Sequence, residues 1–150
     1  MATIFDVADW FLSKAAMTPK KLQKLCYYYK AWALALYDED LLPDSEFEAW
    51  IHGPVNPKLY QKYLDYVWQD IPCQEDNSSV FNEKEIDLLE SVWLTYGKMT
   101  ANALEAQTHV EMPWRNARIG LSEFDKCKNL ISHEDMKKYY LSKFLQEQGE

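Results

Sequence analysis

A chain of 150 residues, 47% hydrophobic and 27% charged, has the size and composition of one soluble domain, able to bury roughly 70% of its unfolded surface. With 15% aromatic residues, among them 6 Trp and 10 Tyr, it is not a disordered segment. A net charge of −8 argues against a general nucleic-acid binder, because neutralising phosphate requires clustered Lys and Arg.

Cys26, Cys73 and Cys127 lie far apart, an odd and scattered set that gives neither a disulfide framework nor a Cys-x-x-Cys metal pair. The opening MATIFDVADWFLSKAAM carries acids inside its apolar run and no basic leader, so a signal peptide is not expected. No apolar run approaches the roughly 20 residues that cross a bilayer. A cytoplasmic protein with no membrane partner is expected. Charge is uneven along the chain: residues 1–37 hold five lysines against Asp6 and Asp9, whereas 38–48 hold six acids and no base.

In chain order, Ile4, Phe5, Val7, Ala8, Phe11 and Leu12 recur at helical spacing and predict a helix over 3–15. Thr18-Pro19 is an N-cap followed by proline at the first helical position. It opens a helix to about Tyr37 through Leu22, Leu25, Cys26, Tyr29 and Leu36. Tyr27, Tyr28, Tyr29 and Trp32 occupy nearly all of its sides, which predicts a central, covered helix. FEAWIH, 47–52, alternates with a period of two and predicts a short strand ending at His52, with Gly53-Pro54 turning the chain. Asn56-Pro57 opens a helix expected to run through Tyr60, Tyr63, Leu64 and Trp68.

Residues 72–81 are a polar loop. Asn82-x-x-Glu85 is a capping box for a helix to Gly97, a candidate left-handed terminator. Thr100 caps a shorter helix through Gln107 that must stop before Met112-Pro113. WRNARIG is a helical turn, and Ser132-x-x-Asp135 caps a last helix striped by Met136, Tyr139, Tyr140 and Phe144. The expected fold is mainly α: a single compact domain of about six helices with a small β element around residues 46–55.

Catalytic constellations are sparse. His52, His109 and His133 never pair at metal-ligand spacing, and no Cys lies within four residues of any of them. Cys26 sits on an apolar helical stripe, where a small core residue is expected. Four glycines form no phosphate-cradling loop and no nucleophile elbow. No cofactor, no metal and no catalytic residue is expected, and the protein reads as a non-enzyme. Lys20, Lys21 and Lys24 crowd the positive end of a helix dipole, at a cost of a few tenths of a kcal/mol each. They read as solvated surface, with docking of an acidic partner as the alternative. THVEMPWRNAR, 108–118, gathers His109, Glu111, Trp114, Arg115 and Arg118. It reads equally as contact surface and as structural plug.

Three segments together resemble one family: MTPKKLQKLCYYYKAWALALY (17–37), FEAWIHGPVNPKLYQKY (47–63) and YGKMTANALEAQTHVEMPWRNAR (96–118). Their order, separation and the pairing of HGPV-x-P with H-x-E-x-PW are similar to the Panacea, or SocA-like, antitoxin domain of mobile elements. LISHEDMKKYYLSKF (130–144) resembles the family's closing helix. Cys26 stands where the family commonly has Leu, and Tyr29-Lys30 where small or polar residues are frequent. The resemblance implies an antitoxin that neutralises a cognate toxin, encoded nearby, by direct protein–protein binding. It also implies, from one branch of the family, a proteolytic adaptor that delivers the toxin to a AAA+ protease. Some relatives carry a fused helix-turn-helix; with residue 1 near the domain start, none is expected here.

The motif positions are Trp50, His52, Gly53, Pro54, Val55 and Pro57 in the first segment, and His109, Glu111, Pro113, Trp114 and Arg118 in the second. The two motif loops are expected to pack together, with His52 or His109 bonding backbone across the junction. Candidate partner-binding residues are Lys20, Lys24, Trp50, His52, Asn56, Tyr60, His109, Glu111, Trp114, Arg115 and Arg118. The acidic net charge would suit a basic toxin. Two alternatives stay open: a phage or mobile-element modulator of a host protein, and a small hydrolase using His52 or His109 with a carboxylate.

Overall fold

A computed structural model describes residues 1–149. Its elements in chain order are α1 (Ile4–Lys14), α2 (Pro19–Tyr37), β1 (Glu48–Trp50), β2 (Gly53–Val55), α3 (Pro57–Lys62), α4 (Glu83–Tyr96), α5 (Ala101–Val110), α6 (Met112–Ala117) and α7 (His133–Gln148). The expected mainly helical architecture with one small β element is what forms, with seven α-helices among the described residues rather than six.

The start of each main helix is written into the sequence. Thr18, Asn82, Thr100 and Ser132 each accept a hydrogen bond from the backbone N–H three residues on, satisfying a donor that the helix cannot. Asn82 and Glu85 close the reciprocal capping box, as do Thr3 and Asp6.

The long helix α2 is the axis. α1, α4, α5, α7, α3 and β2 all pack on it, and Tyr27, Tyr28, Tyr29, Leu22, Leu25 and Cys26 are buried on its different sides. A helix apolar on all sides belongs in the middle of a domain, and these residues join a single core cluster with Trp10, Phe11, Phe47, Leu89, Leu104, Met136 and Tyr140. Burial pushes the Cys26 thiol up, as befits a core residue.

β1 and β2 form an antiparallel hairpin in the register Glu48↔Val55, Ala49↔Pro54 and Trp50↔Gly53. The turn is therefore Ile51-His52, not Gly53-Pro54, and His52 lies at the tip rather than at a strand end. Period-two alternation holds: Phe47 and Ala49 are buried while His52 faces solvent. On its other edge β1 is flanked by residues 129–131, with Ala49 N–H donating to the Asn129 carbonyl at 2.9 Å and Ile131 N–H to the Phe47 carbonyl at 2.8 Å.

α3 ends earlier than expected and Gly97 is not left-handed, while α5 stops before Met112-Pro113 as expected. α3 ends at Lys62, and a 3-10 turn over Leu64–Tyr66 follows. Val67 then takes a positive φ of 55°, so Val67 and Trp68 leave the helical stripe and face outward. α5 runs to Val110, one turn past Gln107, before Glu111 breaks it in extended geometry. Gly97 ends α4 at φ −62° rather than left-handed; glycine is required because a Cβ there would lie 2.4 Å from the Trp93 carbonyl oxygen.

The acidic run 38–48 is pinned from beneath. Lys30, fully buried on α2, donates to the carbonyls of Leu42 at 2.9 Å and Ser45 at 2.7 Å and to Asp40 at 3.1 Å. Asn56 locks the next junction. Its Oδ1 accepts from Leu59 N–H, its Nδ2 donates to the Glu46 carbonyl, and its backbone exchanges two hydrogen bonds with the Gln23 amide. Losing an N-cap costs about 1 kcal/mol, and orphaning a buried carbonyl costs about as much again. Asn56→Ala should therefore lower unfolding stability by about 2 kcal/mol in a urea titration; a loss of less than about a quarter of that would show that the junction is held elsewhere.

Candidate functional site

The second sequence motif, H-x-E-x-PW, bridges α5 and α6. Glu111 sits between them with φ −93° and ψ 142°, and its side chain turns inward, 1% exposed. Oε1 accepts from the Tyr28 hydroxyl at 2.9 Å and the Tyr140 hydroxyl at 2.7 Å, and Oε2 from the Gln107 amide at 3.0 Å. Lys143 stands 3.6 Å from Oε2. Tyr27 and Tyr140 share a further hydroxyl contact at 3.1 Å. Tyr28 stacks on Tyr96 at 4.0 Å, whose hydroxyl accepts from Trp32 Nε1 at 2.9 Å. One carboxylate thus joins α2, α5 and α7. Burial, reinforced by the neighbouring Glu111 charge, pushes the Tyr28 and Tyr140 hydroxyls well above their ordinary 10.0. They stay protonated and donate.

The rest of this motif grips the hairpin. Trp114 Nε1 donates to the Trp50 carbonyl at 2.9 Å, and Arg118 Nη1 to the Ala49 carbonyl at 2.8 Å. Arg118 also holds the Ser122 and Asp125 carbonyls and lies over the Trp114 ring, 4.8 Å from its centroid. His109 stacks on Trp114 at 4.0 Å and 16°, near the Ile51 backbone. Burial holds its pKa below the ordinary value, and its Nε2 is buried without a partner. The expected junction between the motif loops is formed, and His109 rather than His52 is the histidine inside it. His52, its side chain 59% exposed, pairs with Glu105 at 3.1 Å.

The glycine of HGPV serves the same joint. Gly53 has φ +107°, and a Cβ there would lie 2.6 Å from Lys24 Cε and 2.9 Å from Thr108 Oγ1. Only glycine combines that backbone with that approach. Lys24 is correspondingly not solvated: it is 1% exposed and donates to the Pro54 carbonyl at 3.1 Å. Burial first, then the Lys20 charge, push its pKa down to about 7. Lys20 itself pairs with Glu105 and donates to Asn102.

The eleven candidate residues separate into two sets. Lys24, Asn56, Glu111, Trp114 and Arg118 are buried; their side chains carry the scaffold and offer no contact surface. Lys20, Trp50, His52, Tyr60 and Arg115 reach solvent, and His109 lies half-buried between the sets. Trp50 and Tyr60 meet edge to face at 4.9 Å. They stand on the outer side of the hairpin with Val67 and Trp68, which sequence periodicity assigned to a helix stripe. Asp40, Glu46 and His133 also converge, with ligand atoms within 4.8 Å of one another. The Lys30 ammonium already stands among them, 3.1 Å from Asp40 and 3.9 Å from Glu46, so the group is an internal ion network. Among the described residues no helix is long and apolar enough to cross a membrane.

The sequence matches the family described as antitoxin SocA-like, Panacea domain, over residues 22–115. That span runs from α2 to α6 and includes both motifs. The chain belongs to this family, and its class of role is that of an antitoxin. α1 and α7 lie outside the matched span. No curated protein and no solved structure gave a significant match to the chain.

Two measurements probe the joint. Trp114→Phe keeps an aromatic ring but removes the donor to the Trp50 carbonyl, and should cost about 1–2 kcal/mol. His52→Ala should stay within about 0.5 kcal/mol of wild type, and equal losses in the two denaturation curves would contradict this assignment.

Lys24 supplies the pH test. Between its folded pKa of about 7 and its ordinary 10.5, the unfolded chain binds more protons, so stability rises with pH. The penalty is full below about 7 and relieved upward. Near pH 10 the raised tyrosines reverse the trend, because they ionise more readily when unfolded. Stability of wild type relative to Lys24→Met should therefore climb between pH 7 and 10, and parallel curves would show that the ammonium is not buried.

Proposed function

We propose that this protein is a non-enzymatic antitoxin that acts in the cytoplasm and silences a cognate toxin by direct protein–protein binding. The observation that carries the reading is the use made of the family's motif residues. Glu111, His109, Trp114 and Arg118 are spent on holding α2, α7 and the hairpin together. A hydrolase built on His109 and a carboxylate would need that pair beside a reacting bond. Here the Glu111 oxygens are taken up by two tyrosines and a glutamine, and His109 is stacked on Trp114. What the scaffold offers a partner is the outside of the hairpin.

The toxin is expected from a reading frame beside this one. Expressing that frame alone should arrest growth, and co-expression with this protein should restore it, with the two proteins co-purifying. Absence of both rescue and co-purification would refute direct neutralisation. If the protein also acts as an adaptor to a AAA+ protease, toxin half-life should shorten when the antitoxin is present and recover in a strain lacking that protease; unchanged half-life with full rescue leaves neutralisation by binding alone. A neighbour without toxicity would instead favour a mobile-element modulator of a host protein.

A further inference from the structure

Two shallow grooves run along the outer face of the hairpin and share Trp50, His52, Val55 and Tyr60. The first, about 250 Å³, extends along α3 to Val67 and Trp68 and is floored by Lys24, with Lys20 at its side. The second, about 390 Å³, extends the other way to Lys126 and Lys128. The far end of the first groove is apolar and largely unburied, Trp68 being 70% and Val67 59% exposed.

The charge on this face opposes that of the molecule. Four lysines and one histidine line the two grooves, and no carboxylate does among the described residues, in a chain whose net charge is −8. Two carboxylates border the linings without belonging to them: Glu105 pairs with Lys20 and His52, and Glu48 accepts from Trp50 Nε1 at 2.8 Å. Lys24 at the floor has three N–H donors and one hydrogen-bond acceptor, the Pro54 carbonyl. Val67 adds a separate sign. A β-branched residue at φ +55° is held in a costly conformation, and its effect is to present Val67 and Trp68 outward instead of continuing α3.

We propose that this double groove is the face that receives the partner, and that its occupant is a segment of a partner protein bearing Asp or Glu beside a large apolar side chain. The apolar residue would lie against Trp50, Tyr60 and Trp68, with the carboxylates directed to the exposed Lys126 and Lys128. The proposal rests on the antitoxin reading and reverses its simplest electrostatic expectation. The partner is then not chosen by the overall acidity of this chain, because the docking face carries its own exposed positive charge at Lys126 and Lys128.

The test uses the full chain and a displayed library of random short peptides, followed by fluorescence anisotropy with the selected peptides. Selected sequences should be enriched in Asp or Glu next to Trp, Phe or Leu. Affinity should fall ~10-fold or more with Trp68→Ser, and by a similar factor with the double change Lys126→Glu and Lys128→Glu. It should weaken as salt rises. All three side chains are exposed, so thermal melting should leave these variants as stable as wild type.

Selection without acidic enrichment, or affinity indifferent to both variants, would overturn the proposal. So would sedimentation showing a dimer that Trp68→Ser dissociates, since the occupant would then be a second copy. The toxin assay separates the two readings. Rescue by wild type and equally by both groove variants sinks this face and leaves neutralisation standing. Acidic–apolar peptides that bind the groove without any rescue by wild type sink the toxin and leave the face.

Discussion

The buried carboxylate of Glu111 is the constraint on which the arrangement depends. A carboxylate taken out of water is tolerated only where donors replace its hydration, and here three donors come from α2, α5 and α7. Those helices cannot shift relative to one another without stranding the charge. Because Glu111 also ends α5 and starts α6, the same residue fixes where Trp114 and Arg118 stand. The hairpin is then positioned by bonds from these two side chains to its backbone carbonyls, so β1 can present Trp50 outward without needing it for support.

From the other side the hairpin is fixed by α2. Gln23 brackets the Asn56 backbone, Lys24 reaches the Pro54 carbonyl through the space left by Gly53, and Lys30 holds the acidic loop that leads into β1. Three polar side chains on one helix, all buried, each bond the backbone between the acidic loop and the start of α3. This explains why a helix so rich in tyrosine also carries Lys24, which looks misplaced near its N-terminal end. The cost of placing Lys24 there is visible in its lowered pKa. It is offset by what the lysine holds.

Much of this was legible in the sequence because it rests on local rules. Thr18-Pro19, Asn56-Pro57, Asn82-x-x-Glu85 and Ser132-x-x-Asp135 mark helix starts through short-range bonds, and each does so in the structure. The aromatics around α2 announced a covered helix for the same reason. Long-range facts were not readable. Lys24 and Lys30 sit in a helix-period pattern indistinguishable from surface lysines, and their burial depends on carbonyls that the chain supplies 30 and 12 to 15 residues later. Glu111 gave no sign of its tyrosine partners, which lie 83 and 29 residues away. Periodicity misplaced Val67 and Trp68, since an apolar stripe cannot reveal that the backbone turns to positive φ at Val67.

The division of labour within the motifs also bears on how such a domain can keep one fold and change partners. Residues that the family resemblance marks in HGPV and H-x-E-x-PW are mostly buried here, and substituting them would disturb the joint before it altered any contact. Of the side chains that reach solvent on the same face, Trp50 and His52 are motif positions, whereas Tyr60, Val67, Trp68, Lys126 and Lys128 lie outside them. They bond little that the core requires, so their identity is free to vary at small cost in stability. Recognition that resides in such positions can be rewritten without rebuilding the scaffold, because the Glu111 network and the hairpin clamps do not pass through them.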